Sequence, residues 1–245
     1  MSKLNKKVAI VTGAGGAIGA GIAKKLSGDG YRVVCVDRNY EAVSRVAQGI
    51  QDAIANKVDV TKELEILNLQ IELLKTVGPP LLLVNAAGIF FVHDVVTLAE
   101  ESFDQIIDVN LKGTFLMCKV FIRDFLAAGT GNIINIASTA GLHSGPNRAV
   151  YCASKAGVIM FTRSISADYG PKGIRANCVC PGLIDTPMAN WLKEDIVAFR
   201  AWERSVPAQR VGTVDDIADA VSFLASDSSS YIHGESLVVD GGGIA

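Results

Sequence analysis

The sequence predicts an α/β protein, a doubly wound parallel sheet of about seven strands with helices on both faces, in one domain spanning residues 1–245. Three observations carry this expectation. Short β-branched runs alternate with helical stretches from one end of the chain to the other. The first run is followed at once by a glycine cluster, Gly13, Gly15, Gly16 and Gly19. No linker and no internal repeat divides the chain. Strands that alternate with helices are buried on both sides, which suits a parallel sheet.

In order, Lys7 to Thr12 reads as a buried strand and Ala17 to Leu26 as a helix stopped near Gly28 and Gly30. Tyr31 to Val36 is a second strand, ending at Asp37, and Tyr40 to Gln48 a helix. Lys57 to Val60 is expected as a short strand, with Thr61 opening a helix that carries Glu63 in its first turn. Pro79-Pro80 closes that region and Leu81 to Val84 is a fourth strand. Helices are expected from about Ala99 to Asp108 and from Leu111 to Ala128. Asn132 to Ala137 is a strand, Tyr151 to Tyr169 a helix and Ile174 to Cys180 a strand. An irregular stretch follows from Pro181 to about Gly212, then a helix over Val214 to Ala225 and a last strand over Ser236 to Val239.

Composition narrows the class. Hydrophobic residues are 49% of the chain, so a large core is available, and the formal net charge is −2. Neither a basic stripe nor a charge block points to nucleic acid. The five cysteines are scattered, with no C-x-x-C, which fits reduced thiols in the cytoplasm. His93, His143 and His233 make no metal-ligand spacing, so no metal is expected. Lys3, Lys6 and Lys7 precede an apolar run, as in a secretory signal, but that run holds the glycine cluster and reads as the first strand and helix. No stretch of about 18 strongly apolar residues suggests a membrane span.

Two groups of residues carry chemistry. After the first strand, Thr12-Gly13-Ala14-Gly15-Gly16-Ala17-Ile18-Gly19 can bring backbone close to a pyrophosphate at a helix N-terminus. Asp37, at the end of the second strand, can accept hydrogen bonds from ribose hydroxyls; together they point to a dinucleotide site. Farther on, Tyr151 and Lys155 stand four apart and share a helix face. An ammonium about 4 Å from a phenol is worth roughly 4 kcal/mol at a surface-like dielectric, enough to draw the phenol towards neutral pH.

With these motifs the chain resembles the short-chain dehydrogenase/reductase family over essentially its whole length. Thr12 to Gly19 resembles the family's T-G-x-x-x-G-x-G loop, with Ala17 in place of a glycine, and Asn85-Ala86-Ala87-Gly88 its N-N-A-G, with Ala86 in place of an asparagine. Asn110, Ser138, Tyr151 and Lys155 fall at its catalytic Asn-Ser-Tyr-Lys positions; Pro181-Gly182 and Val239-Asp240-Gly241-Gly242 resemble two further motifs. The resemblance implies a Rossmann-type fold and hydride transfer between a secondary alcohol or ketone and NAD. Tyr151 would transfer the proton and Ser138 would hold the substrate oxygen. Lys155 would bind the nicotinamide ribose and lower the tyrosine pKa, and Asn110 would hold a water leading to Lys155. Gly13, Gly15, Gly16 and Ile18 would meet the pyrophosphate, Asp37 and Arg38 the adenosine, Asp59 and Val60 the adenine, and Asn85, Ala86 and Ala87 the ribose. Pro181, Gly182, Ile184 and Thr186 would meet the nicotinamide half.

A substrate lid is expected at about 183–212, carrying Met188, Trp191, Leu192, Ile196, Phe199 and Trp202. Its apolar character suggests a small or medium hydrophobic substrate, with His143 and Asn147 near the pocket. Two alternatives stand beside the alcohol dehydrogenase. One is a 3-oxoacyl-thioester reductase, which Arg210 to Gly242 resembles; the other is a dinucleotide-sensing regulator without turnover. The family's assembly through the helices at 111–128 and 151–169 and the last strand implies a homotetramer, and both helices are apolar around most of their circumference.

Overall fold

The structure is a computed structural model that describes residues 6–245, without the side chains of Trp191 and Lys193; Lys3 lies outside the described residues. The strands are β1 (Val8–Thr12), β2 (Arg32–Asp37), β3 (Ile54–Lys57), β4 (Leu82–Asn85), β5 (Gly131–Ile136), β6 (Ile174–Pro181) and β7 (Ser236–Val239). They form one parallel sheet in the order β3-β2-β1-β4-β5-β6-β7. The helices are α1 (Ala17–Gly28), α2 (Tyr40–Gln48), α3 (Glu63–Thr76), α4 (Glu100–Ile107), α5 (Gly113–Ala128), α6 (Ala149–Tyr169), α7 (Asn190–Lys193), α8 (Ile196–Ser205) and α9 (Val214–Ala225).

The period of two along each strand divides the core into two layers. Val8, Ile10, Val34, Leu83 and Ile133 face one side, where Leu69 and Leu73 of α3, Met117, Phe121 and Phe125 of α5 and Ile165 of α6 cover them. Ala9, Val11, Val33, Val84 and Ile134 face the other, under Ile22 and Leu26 of α1 and Ile217, Val221 and Leu224 of α9. This is the doubly wound, Rossmann-type α/β fold that the alternating pattern implies.

Three local expectations are corrected. The third strand is Ile54–Lys57, paired with Val34 to Asp37, and not Lys57 to Val60. Val58 and Val60 are buried because they turn into the core beyond the sheet, which mimics a strand pattern. Helix α3 starts at Glu63; Thr61 instead donates from its N–H and hydroxyl to Asp59 Oδ1, at 2.9 and 2.7 Å. The stretch after Pro181 is not wholly irregular, since Asp195 accepts from the N–H groups of Val197 and Ala198 and starts α8.

Candidate active site

The strand order reverses beside β1, whose neighbours are β2 and β4, and a crevice opens at their carboxyl ends. Thr12 Oγ1 accepts from the N–H groups of Ala86 and Ala87, at 3.1 and 3.2 Å, and ties the two strand ends together. Gly13 has φ +65°, and a β-carbon there would lie 2.7 Å from Ala87 N and Cα, so only glycine serves. Helix α1 begins at Gly16 with no side-chain cap and no acidic residue in its first turn. Its first N–H groups therefore keep their donors for an anion, which is what a pyrophosphate requires. Ala17 is harmless because it sits in α1 and lacks the positive φ that would demand glycine.

The loop borders a cavity of about 460 Å³ lined by Gly13, Gly15, Gly16, Ile18, Asp37, Arg38, Asp59, Val60, Ala86 and Ala87. Asp37 is held in place there. Its Oδ2 accepts from Gly15 N at 3.0 Å and its Oδ1 from Asn39 N at 2.9 Å. Asn85 borders neither this cavity nor the next. Its amide points into the core, donating to Asn135 Oδ1 at 2.9 Å and Cys118 Sγ at 3.4 Å.

A second cavity, of about 540 Å³, adjoins the first and shares Ile18, Ala86, Gly88, Thr186 and Met188 with it. Ser138, Tyr151 and Lys155 line it, with Ile136 of β5 below and Pro181, Gly182, Ile184 and Thr186 to one side. Phe90 packs edge-on against the Tyr151 ring, centroids 4.8 Å apart. Lys155 is buried, donates to the Ile136 carbonyl at 2.8 Å and stands 5.8 Å from the Tyr151 ring centroid. Asn110 lies in a π-helical turn, Asp108–Lys112, ahead of α5. Its amide brackets Ile89, accepting from Ile89 N at 2.8 Å and donating to Ile89 O at 3.0 Å. It also donates to Ser154 Oγ at 3.1 Å. A β-carbon on Gly88 would stand 3.4 Å from Asn110 Oδ1 and 3.5 Å from Lys155 Nζ, so this glycine keeps the floor between them open.

The electrostatics differ from the sequence expectation. Burial pushes the Tyr151 phenol above its ordinary value, and a side-chain hydrogen bond with Ser138 opposes that only in part. Burial also lowers Lys155, to about 8. The expected depressed phenol is not found here, because the ammonium turns to the Ile136 carbonyl and the phenol is partly desolvated.

The segment 183–212, expected as a lid, is tied at its foot. Ile184 and Gly212 form an isolated parallel bridge, with Gly212 N donating to Leu183 O at 3.0 Å and Asp185 N to Gly212 O at 2.8 Å. From the lid, Met188, Leu192 and Trp202 line the cavity, whereas Ile196 is 60% exposed. His143 and Asn147 also line it.

Several residues that build the site escaped the sequence reading. Ser154 donates to the Tyr151 carbonyl at 2.7 Å and joins Asn110 to the first turns of α6. Asp240 and Ile244 bring the C-terminal turn to the cavity wall. A β-carbon on Gly182 would come within 2.6 Å of Asp240 Cβ, so glycine is what lets Pro181-Gly182 and Asp240-Gly241 meet; the two glycine motifs were the available signal.

A glycine-lined anion cradle beside a half-buried tyrosine and a buried lysine defines a nicotinamide-dependent oxidoreductase. Residues 13–243 match the family described as enoyl-(acyl carrier protein) reductase. The chain is 40% identical to a 3-oxoacyl-(acyl-carrier-protein) reductase of Chlamydia muridarum over 247 residues, covering 98% of each chain. It is 36% identical to a 2-(R)-hydroxypropyl-CoM dehydrogenase of Xanthobacter autotrophicus, covering 96% of this chain and 97% of the relative. A gluconate 5-dehydrogenase from Burkholderia cenocepacia, solved in complex with NADP and tartrate, superposes with TM-score 0.93 at 33% identity, over 98% of this chain and 96% of that one. The chain belongs to the short-chain dehydrogenase/reductase family and is an oxidoreductase of that family. Among the described residues no helix is long and apolar enough to cross a membrane.

Proposed function

We propose that this protein is an NAD(H)-dependent oxidoreductase that interconverts a secondary alcohol and a ketone. The observation that carries the reading is the shared wall formed by Ser138, Tyr151 and Lys155 in a cavity contiguous with the glycine-lined cradle. The nicotinamide, when bound, accepts or delivers the hydride. Ser138 donates to the substrate oxygen and fixes it beside the phenol. Tyr151 gives the proton in ketone reduction and takes it in alcohol oxidation. Lys155 holds the nicotinamide ribose, and Asn110 orders a water next to Lys155. The apolar wall of Met188, Leu192 and Trp202 excludes bulk water and suits a small or medium substrate.

For the coenzyme, Asp37 supports NAD. Two backbone N–H groups fix its carboxylate at the mouth of the adenosine cavity, where it accepts from ribose hydroxyls and repels a 2′-phosphate. Gly16 leaves the loop without a basic residue, and Arg38, on the cavity wall, would stack on adenine. Gly13, Gly15 and Ile18 would serve the pyrophosphate, Asp59 and Val60 would hold the adenine, and Ala86 and Ala87 the ribose. Asn85 acts through the strand end it holds. Pro181, Gly182, Ile184 and Thr186 meet the nicotinamide half. We place the protein in the cytoplasm as one domain with its lid, assembled as a homotetramer. Reduced thiols support this location: Cys35, Cys118, Cys152, Cys178 and Cys180 are all free.

Comparing kcat/KM for NAD(H) and NADP(H), over ketones, secondary alcohols and 3-oxoacyl thioesters, tests both parts. NAD is expected to win by one to a few powers of ten, each worth about 1.4 kcal/mol. Asp37→Ala is expected to narrow that gap, and a wild-type preference for NADP sinks the coenzyme assignment. A 3-oxoacyl-thioester reductase is the second reading, favoured by the 40% identity to the Chlamydia muridarum enzyme. Thioesters outpacing all simple ketones would establish it.

A further inference from the structure

Among the described residues, the substrate cavity holds one cation that the proposed chemistry does not use. Arg148 is the N-cap residue of α6 and lines the same cavity as Tyr151. Its Nε is buried and has no hydrogen-bond partner. Among the described residues no carboxylate forms an ion pair with it. The guanidinium lies against Gly145, where a β-carbon would collide with it, so the loop before α6 is shaped to seat this side chain. Its charge reaches the reacting group, since it acts to lower the Tyr151 phenol.

Among the described residues, the other charged or titratable groups of the cavity do not answer it. Lys155 is turned to Ile136. Asp240 has both carboxylate oxygens occupied by its own turn, accepting from Gly242 N at 2.8 Å and Ile244 N at 2.9 Å. His143, also on the cavity wall, offers an imidazole and no carboxylate. A buried guanidinium nitrogen left without an acceptor is costly, and a bound acceptor relieves it. Guanidinium groups favour planar or paired oxygens, which they bind through two parallel N–H bonds. Across from Arg148, the lid residues Met188, Leu192 and Trp202 make the remaining wall apolar.

We propose that Arg148 reads an acidic head group, and that the substrate is a short oxo or hydroxy compound carrying one carboxylate or sulfonate. This rests on the alcohol–ketone reading above and narrows its substrate class to amphipathic monoanions. The apolar chain lies along the lid, the acid meets Arg148, and the carbonyl meets Ser138 and Tyr151.

The experiment compares kcat/KM for levulinate, its neutral amide and a keto sulfonate of matched length, with wild type, Arg148→Gln and Arg148→Lys. Wild type is expected to prefer an acid to the amide by about ten- to a hundredfold, the sulfonate and carboxylate arms showing which acid is read. In Arg148→Gln the preference collapses towards unity, chiefly through KM, and Arg148→Lys restores part of it. A binding measurement runs beside it: calorimetric titration of valerate and valeramide into wild type and variants saturated with NAD. Turnover with an acid-to-amide ratio unchanged by Arg148→Gln overturns the Arg148 assignment and leaves the reaction class standing. Absence of turnover on every ketone, with valerate binding that needs Arg148, overturns the reaction class and keeps the anion site. If the variants do not fold, wild type decides: equal treatment of acid and amide in both assays overturns the assignment.

Discussion

At the residue scale, Lys155 combines two opposing demands. It is 5% exposed, and burial holds its pKa near 8 against an ordinary 10.5. The charged form is therefore disfavoured in the folded protein, and this costs stability fully below about pH 8. Between pH 8 and 10.5 the folded protein loses the proton while the unfolded chain keeps it, so wild-type stability rises through that window. Lys155→Met is expected to stabilise the coenzyme-free protein by about 1–3 kcal/mol at neutral pH while abolishing turnover. That gain should fade across the same window; thermal melts from pH 7 to 11 check it, and a less stable variant at pH 7 would refute it. Tyr151→Phe removes one hydroxyl and no packing, since the Phe90 contact is to the ring. It is expected to keep dinucleotide affinity and lose at least about 10²–10⁴-fold in rate, and a Phe variant with near-normal turnover ends the proposed mechanism. Tyr151 and Lys155 were legible in the sequence because their chemistry depends on a spacing of four along one helix. Ser154 and Thr12 were not, because their partners are 44 and 74 positions away.

At the element scale, the start of α9 is the best-defined cap in the chain. Thr213 and Asp216 form a reciprocal capping box, and Arg210 adds two bonds to Asp216 at 2.7 and 2.8 Å. The Arg210 bonds hold the Asp216 carboxyl well below the usual carboxylate range. Asp216→Ala is expected to cost about 0.5–2 kcal/mol in urea melts at pH 7. The carboxyl is depressed in the fold, so its contribution is complete above the unfolded value near 3.8 and is lost as pH falls below that. The gap between wild type and variant should narrow progressively as pH falls below the unfolded value, and a gap at pH 2 as large as that at pH 7 would contradict the assignment. Strong local punctuation of this kind is also what made elements readable. The bounds of α2, α9 and β7 agree with the sequence expectation, the first two because Asn39 and Thr213 cap them. The third strand was misplaced because Val58 and Val60 copy a buried-strand pattern while packing outside the sheet. The π-helical turn at Asp108–Lys112 had no local signal, since it is set by Asn110 reaching back to Ile89.

At the scale of the whole molecule, α5 and α6 carry more apolar surface than the sheet can cover. The inner face of α5 is spent on the core, with Met117, Phe121 and Phe125 fully buried. Its outer face still shows Phe115 at 43% and Leu126 at 40% exposure, and α6 adds Met160 at 59%. Phe115 and Phe161 meet edge-on, 6.0 Å between centroids, and join the two helices into one apolar face. Val238 on the terminal strand β7 is 38% exposed. Apolar area is worth about 25 cal/mol per Å² once removed from water, and a stable interface buries roughly 1,200–2,000 Å². Two such faces closing on copies of themselves would give a dimer through the helices and a tetramer through the strand edge, the symmetric outcome for an isologous patch. The expected result is a tetramer, or a dimer of the helix faces, in sedimentation velocity at micromolar concentration. Charging the face with Phe115→Glu and Met160→Glu, both exposed in the single chain and so harmless to its core, should shift the population to smaller species. Wild type sedimenting as a stable monomer would show that these faces serve something other than self-association.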